Sequence, residues 1–121
     1  MADNFNILDQ PEFSTLVTEN AQTGTSYTLA LTDANKLVTM DNASANVLTI
    51  PANDDVAFEV GTRIEVVQEG AGVTTITADT GVTLNGVSAG SGAINTQFQG
   101  VVLTKTATNT WLTSGDITAV A

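Results

Sequence analysis

Apolar side chains in this sequence recur at every second position over short runs, and Gly, Asn or Pro cuts each run off before it can lengthen. That pattern fits pleated strands with one buried face and gives no helix a continuous apolar stripe. Tyr27, Leu29 and Leu31 alternate with Thr28 and Ala30, which predicts a half-buried strand. Residues 36–40 predict a second, and residues 47–50 a third, stopped by Pro51, which has no N–H to give a ladder. Residues 53–58 read as a connection with room for one short helical turn. The longest β-rich run spans 62–69, and Gly70-Ala71-Gly72 then predicts a hairpin into 73–78. Residues 82–84 end at Asn85-Gly86, the strongest two-residue hairpin signal. Runs at 98–106 and 110–113 complete the set, and Gly115-Asp116 closes it. Nothing supplies the helices of a βαβ unit. The expected class is therefore all-β, a small antiparallel β-sandwich or barrel-like domain over residues 26–121 with an extended N-terminal arm over residues 1–25. The stretches 73–77 and 81–84 look like two similar rungs, short of the three that a solenoid needs.

Composition agrees and narrows the chemistry. The 121 residues include 21 Thr and 13 Val, β-branched types that favour strands, with 10 Asn and 10 Gly for turns. A chain this long buries about two-thirds of its extended surface and needs no staple. It has no Cys, which removes disulfides, iron–sulfur clusters and thiolate zinc sites. It has no His, the commonest general base and metal ligand. Three cations against 13 acids give a net charge of −10, the wrong sign for a nucleic-acid or anionic-membrane surface. An acidic coat keeps a protein soluble at high local concentration.

Residues 1–25 lack the alternation seen later and carry Pro11, yet they hold large apolar side chains: Phe5, Ile7, Leu8, Phe13 and Leu16. A merely solvated tail needs none of these, so they are the candidate partner-binding residues of an arm that orders on a surface. A helical turn over 12–18 would put Phe13, Leu16 and Val17 on one side. The acidic start Met1-Ala2-Asp3-Asn4 lacks the basic and apolar regions of a secretory leader, and no stretch approaches the roughly 18 apolar residues of a membrane span. Synthesis in a cytoplasm and no membrane partner are the expectations.

Constellations that could carry chemistry are weak. Asp41, Asp54 and Asp55 offer carboxylates to a hard cation but lack the spacing of a calcium loop. Glu65 and Glu69 would share a strand face, as paired carboxylates do in glycoside hydrolysis, with no aromatic cleft beside them. Tyr27 and Trp111 could stack a sugar, although packing in the core is the expected role of a sole Trp. The glycine clusters are not followed by a helix or a Lys-Ser/Thr pair, so no phosphate cradle is expected. Asn42-Ala43-Ser44 is a formal glycosylation sequon read as an ordinary loop. Arg63, Lys36 and Lys105 are expected to pair with nearby carboxylates. No catalytic residue, cofactor or metal is expected, and the chain is not read as an enzyme.

One resemblance adds to this. The run from Tyr27 to Val38 (YTLALTDANKLV), Val47-Leu48-Thr49-Ile50-Pro51, Phe58-Glu59-Val60-Gly61-Thr62-Arg63-Ile64, Gly70-Ala71-Gly72-Val73-Thr74-Thr75-Ile76, Gly81-Val82-Thr83-Leu84 and Thr110-Trp111-Leu112 before Gly115-Asp116 resembles, in that order, a β-module recurrent in tailed-bacteriophage virion proteins. The resemblance covers residues 26–117. In that family the module occurs in head fibres, tail fibres and capsid-associated proteins.

The resemblance implies a virion protein, and the short arm with a single module points to a capsid decoration (cement) protein on the outside of the head. The partner would be the major capsid protein, bound through Phe5, Ile7, Leu8, Phe13 and Leu16. A homotrimer is expected by analogy, because lattice three-fold positions suit closed cyclic symmetry. The alternative is a head-fibre or tail-fibre protein that binds the host surface or glycans through loop tips at 41–46 or 86–95.

Overall fold

The computed structural model describes residues 16–121, and its strands alternate between two sheets as the chain advances. Strands β1 (Glu19–Gln22), β3 (Leu37–Met40) and β5 (Arg63–Gln68) lie side by side and parallel in the first sheet. Strands β2 (Ser26–Thr28), β4 (Asn46–Ile50) and β6 (Thr74–Ala78) lie side by side and parallel in the second. Each pair, β1/β2, β3/β4 and β5/β6, is thus one coil of a short parallel stack. The stack then changes direction. Strands β7 (Thr83–Leu84) and β8 (Val87–Ser88) form the hairpin expected at Asn85-Gly86. Strand β9 (Ser91–Ala93) runs antiparallel to β6, and β10 (Gly100–Ala107) runs antiparallel to both β5 and β11 (Thr110–Gly115). The result is a seven-stranded sheet ordered β1-β3-β5-β10-β11-β7-β8 facing a four-stranded sheet ordered β2-β4-β6-β9.

The all-β, sandwich-like class is the expected one. The strand directions are not: both sheets are mixed, and Gly70-Ala71-Gly72 makes a corner between sheets instead of a hairpin. The corners stack as the strands do. A Cβ on Gly70 would stand 2.3 Å from the Asn42 nitrogen, and one on Gly72 would stand 2.0 Å from the Ser44 carbonyl oxygen. Only glycine lets the two corners approach this closely. The sequon residue Asn42 is part of the same stack, donating to the Thr23 carbonyl oxygen and accepting from the Ser44 N–H, both at 2.8 Å.

Leu48, Ile50 and Ile76 of the second sheet meet Val38, Met40, Ile64, Val66, Leu103 and Trp111 of the first, and all are buried. Trp111 packs edge-on against Phe58, with ring centroids 5.6 Å apart, so the sole Trp is a core residue. Phe58 comes from the excursion between β4 and β5, residues 51–62, which has turns but no helix. Lys105 secures it: its ammonium donates to Asn53 Oδ1 and to the Phe58 carbonyl oxygen, both at 2.6 Å. Its partners are therefore an amide and a carbonyl, not the expected carboxylate, and burial lowers its pKa. An inward-pointing Lys on a strand next to the core has no room to reach a surface acid.

The expected domain boundary at 25/26 falls inside the folded body. β1 lies within residues 1–25 and pairs with β3 from Glu19↔Leu37 to Gln22↔Met40. It escaped the apolar pattern because its inward positions are Asn20 and Gln22, stacked over Val38 and Met40. They close the core with polar groups. Asn20 Nδ2 donates to the Tyr27 hydroxyl and to Asp33 Oδ1, both at 2.8 Å, and Gln22 Nε2 donates to Asn20 Oδ1 at 2.9 Å. Asp33 sits in a 3-10 turn, Leu31–Asp33, so β2 ends at Thr28 and Leu31, expected at the end of that strand, belongs to the turn. The helical turn expected over 12–18 lies partly outside the described residues, and residues 16–18 contain no helix.

Candidate functional site

Outward positions on a sheet are normally polar, and two sequence doublets break that rule. In Glu65-Val66-Val67 and Val101-Val102-Leu103, period-2 geometry turns Val66, Val101 and Leu103 inward and leaves Val67 and Val102 on the outer face. Registry puts them next to each other, with Glu65 opposite Val102 and Val67 opposite Gly100. Leu37 is opposite Glu65, and Leu112 is opposite Thr104 on the same outer face. An apolar strip therefore crosses the exposed side of the seven-stranded sheet.

Two adjoining concavities follow this strip and share Glu65 and Val102. The first, of about 290 Å³, is lined by Val17, Asn35, Lys36, Arg63, Glu65 and Val102. The second, of about 390 Å³, runs past Val67, Phe98, Gly100, Ser114 and Gly115. Its floor is low because two glycines meet there. A Cβ on Gly100 would stand 2.0 Å from the Val66 carbonyl oxygen, and Gly115 has φ +128° with the Gly100 carbonyl oxygen 2.5 Å from its Cβ position. Phe98 stands at the end of this strip, 67% exposed, with φ +67°. A bulky residue in the left-handed region is costly, so the fold holds it there by force of its surroundings. Its N–H donates to the Gln68 carbonyl oxygen at 2.6 Å, and the flanking Gln97 donates to the Glu69 carbonyl oxygen at 3.0 Å.

Of the arm residues singled out from the sequence, Phe5, Ile7, Leu8 and Phe13 lie outside the described residues. Leu16 is exposed at the start of the described chain. The neighbouring Val17, not singled out, is 67% exposed and lines the first concavity. Sequence reasoning also missed the outward valines, although the apolar doublets signalled them. Phe98 was read as the first residue of a strand that in fact begins at Gly100.

The other constellations do not assemble. Among the described residues, no group of three or more acidic side chains could hold a metal ion. β5 ends at Gln68, so Glu69 lies beyond the strand, at the opening of the corner. Tyr27 is held in the polar closure of the first coil, where its hydroxyl donates to Asp33 Oδ2 at 2.6 Å. Burial, with Asp33 beside it, pushes its pKa up to about 12. Among the described residues, no helix is long and apolar enough to cross a membrane.

This geometry suits the binding of an extended, partly apolar segment across a sheet face. No protein-family model matches the chain, and no curated protein or solved structure matches it either.

Proposed function

We propose that this chain is a capsid decoration protein of a tailed bacteriophage, bound to the outside of the head and stabilising the lattice of the major capsid protein. The observation that carries the reading is the ordered series of motifs over residues 26–117 that resembles the β-module of phage virion proteins. Two further features support it. The body is a tightly cross-bonded pair of sheets whose outer positions are largely Ser, Thr and Val, a surface suited to dense arrays. The charge of −10 keeps neighbouring copies apart except where they attach.

The mechanism is linkage. A protein that binds only the assembled lattice stabilises it by RT ln(1 + [L]/Kd) per site. Residues 1–16, with Phe5, Ile7, Leu8, Phe13 and Leu16, would supply the attachment. Ordering each residue costs about 1–2 kcal/mol of backbone freedom. Burial of each large apolar side chain returns about 1.5–3 kcal/mol, so several must seat together. A homotrimer would let three such arms engage at once.

The test is to mix the purified protein with undecorated heads and measure sedimentation and the temperature at which the heads lose their DNA. Decoration should raise that temperature, and deletion of residues 1–16 should abolish binding while the far-ultraviolet spectrum stays β-rich. Full occupancy by the deletion variant would refute the arm as the attachment. Absence of the protein from purified particles would refute the reading itself. Binding to glycans or host cells without binding to heads would favour a fibre protein.

A further inference from the structure

We propose that, in the free protein, the concave strip on the seven-stranded sheet is the docking site for the chain's own residues 1–15, folded back from Val17. The strip presents Val17, Val67, Val102 and the strained, exposed Phe98 as one series of apolar contacts. Such a series on a chain of net charge −10 calls for a cover.

Position, reach and charge all select the leader. The described chain begins at Leu16, and the next residue already lines the first concavity. Phe13 is four residues before Val17 and reaches about 13 Å, more than the two strand spacings of about 10 Å from β1 to β5. Leu8, nine residues before Val17, reaches about 30 Å, enough to arrive at Phe98. Of the three cations in the whole chain, Lys36 and Arg63 both line the first concavity. Residues 1–15 carry Asp3, Asp9 and Glu12 and no Lys or Arg. Glu12 adjoins Phe13, so docking Phe13 between β3 and β5 brings a carboxylate to those cations. A tether this short holds the segment at millimolar effective concentration, ahead of any second acidic copy, which charge repels. The inference concerns the free protein and does not depend on the capsid reading.

Nuclear magnetic resonance on the full chain tests it. Contacts are expected from the Phe13 and Leu8 side chains to the Val67 and Val102 methyl groups, and they should persist on dilution. The double reversal Lys36→Glu with Arg63→Glu should abolish those contacts and move the leader resonances to those of a synthetic peptide of residues 1–15, while the methyl groups of Leu48 and Ile76 stay in place. Leader resonances that already coincide with the free peptide in the unaltered chain would overturn the proposal. So would contacts seen only between labelled and unlabelled copies, since they would give the strip to a neighbouring molecule. These contacts are read in the free full-length chain and head binding is read in mixtures with heads, so the two proposals fail separately.

Discussion

The Tyr27 hydroxyl donates to Asp33 Oδ2 at 2.6 Å, and through this bond the first coil of the stack ends in a polar lid instead of an apolar surface. Asp33 is almost fully buried beneath it and also accepts the Ala30 N–H at 2.8 Å. An exposed apolar end would invite another coil; this one is satisfied within the molecule.

The lid predicts an alkaline transition. Tyr27 is the only tyrosine, and the fold pushes its pKa up to about 12, by burial first and then by Asp33. In the unfolded chain the phenol titrates near 10. The folded chain therefore holds the proton more tightly, so this stabilisation is complete below about pH 10 and is lost as the pH climbs through the folded value. Ultraviolet titration of the tyrosinate band should show a midpoint well above 10 in the folded protein. Tyr27→Phe should remove this tyrosine's alkaline contribution and cost about 1–3 kcal/mol at neutral pH, where the hydroxyl's two hydrogen bonds, to Asp33 and from Asn20, are lost.

Lys105→Met should destabilise by about 1–3 kcal/mol in urea unfolding, because the Phe58 carbonyl oxygen is left without its donor. The loss should fall on the excursion 51–62 first, with hydrogen exchange rising at Gly61, whose N–H bonds the Lys105 carbonyl oxygen at 2.8 Å. Uniform exchange throughout the chain would speak against a local clamp.

Corner stacking can be separated from ordinary glycine effects by two alanines. Gly72→Ala puts a methyl group into the Ser44 carbonyl and should cost about 3 kcal/mol or more. Gly86→Ala meets nothing within 4 Å, and its cost is that of a left-handed φ of +81°, about 1 kcal/mol. Equal losses would mean that the corners do not touch.

Phe58→Ala should cost about 3–5 kcal/mol, as deletion of a buried ring does. Trp111 lies against that ring, so its emission should be blue in the native protein and shift to the red in the variant. An unchanged spectrum would show that the cavity refills without admitting water.

Most strand positions from β3 onward were legible, since alternation and turn residues act locally: the runs at 36–40, 62–69 and 73–78 all became strands within a residue or two of their expected limits, whereas the short β9, Ser91–Ala93, has too few apolar residues to show a pattern. Strand direction was not legible. Whether Gly70-Ala71-Gly72 reverses the chain in one sheet or turns it into the other depends on Asn42 and Ser44, nearly thirty residues away. β1 was hidden because Asn20 and Gln22 fill inward positions with polar groups, Gln22 bonded to Asn20 and Asn20 to Tyr27 and Asp33, which lie elsewhere in sequence. The outer strip was half legible, through the Val66-Val67 and Val101-Val102 doublets. Phe98 was not, because a positive φ at a phenylalanine has no signature in composition or spacing.

The reversal of direction at β9 and β10 works as a ruler. Successive parallel coils could in principle repeat without limit, but a strand that runs backward along each sheet offers the next coil no matching ladder. Among the described residues the stack is thereby closed at its β5/β6 end, and lengthening it would require a new coil spliced in ahead of β5, never one appended after β6.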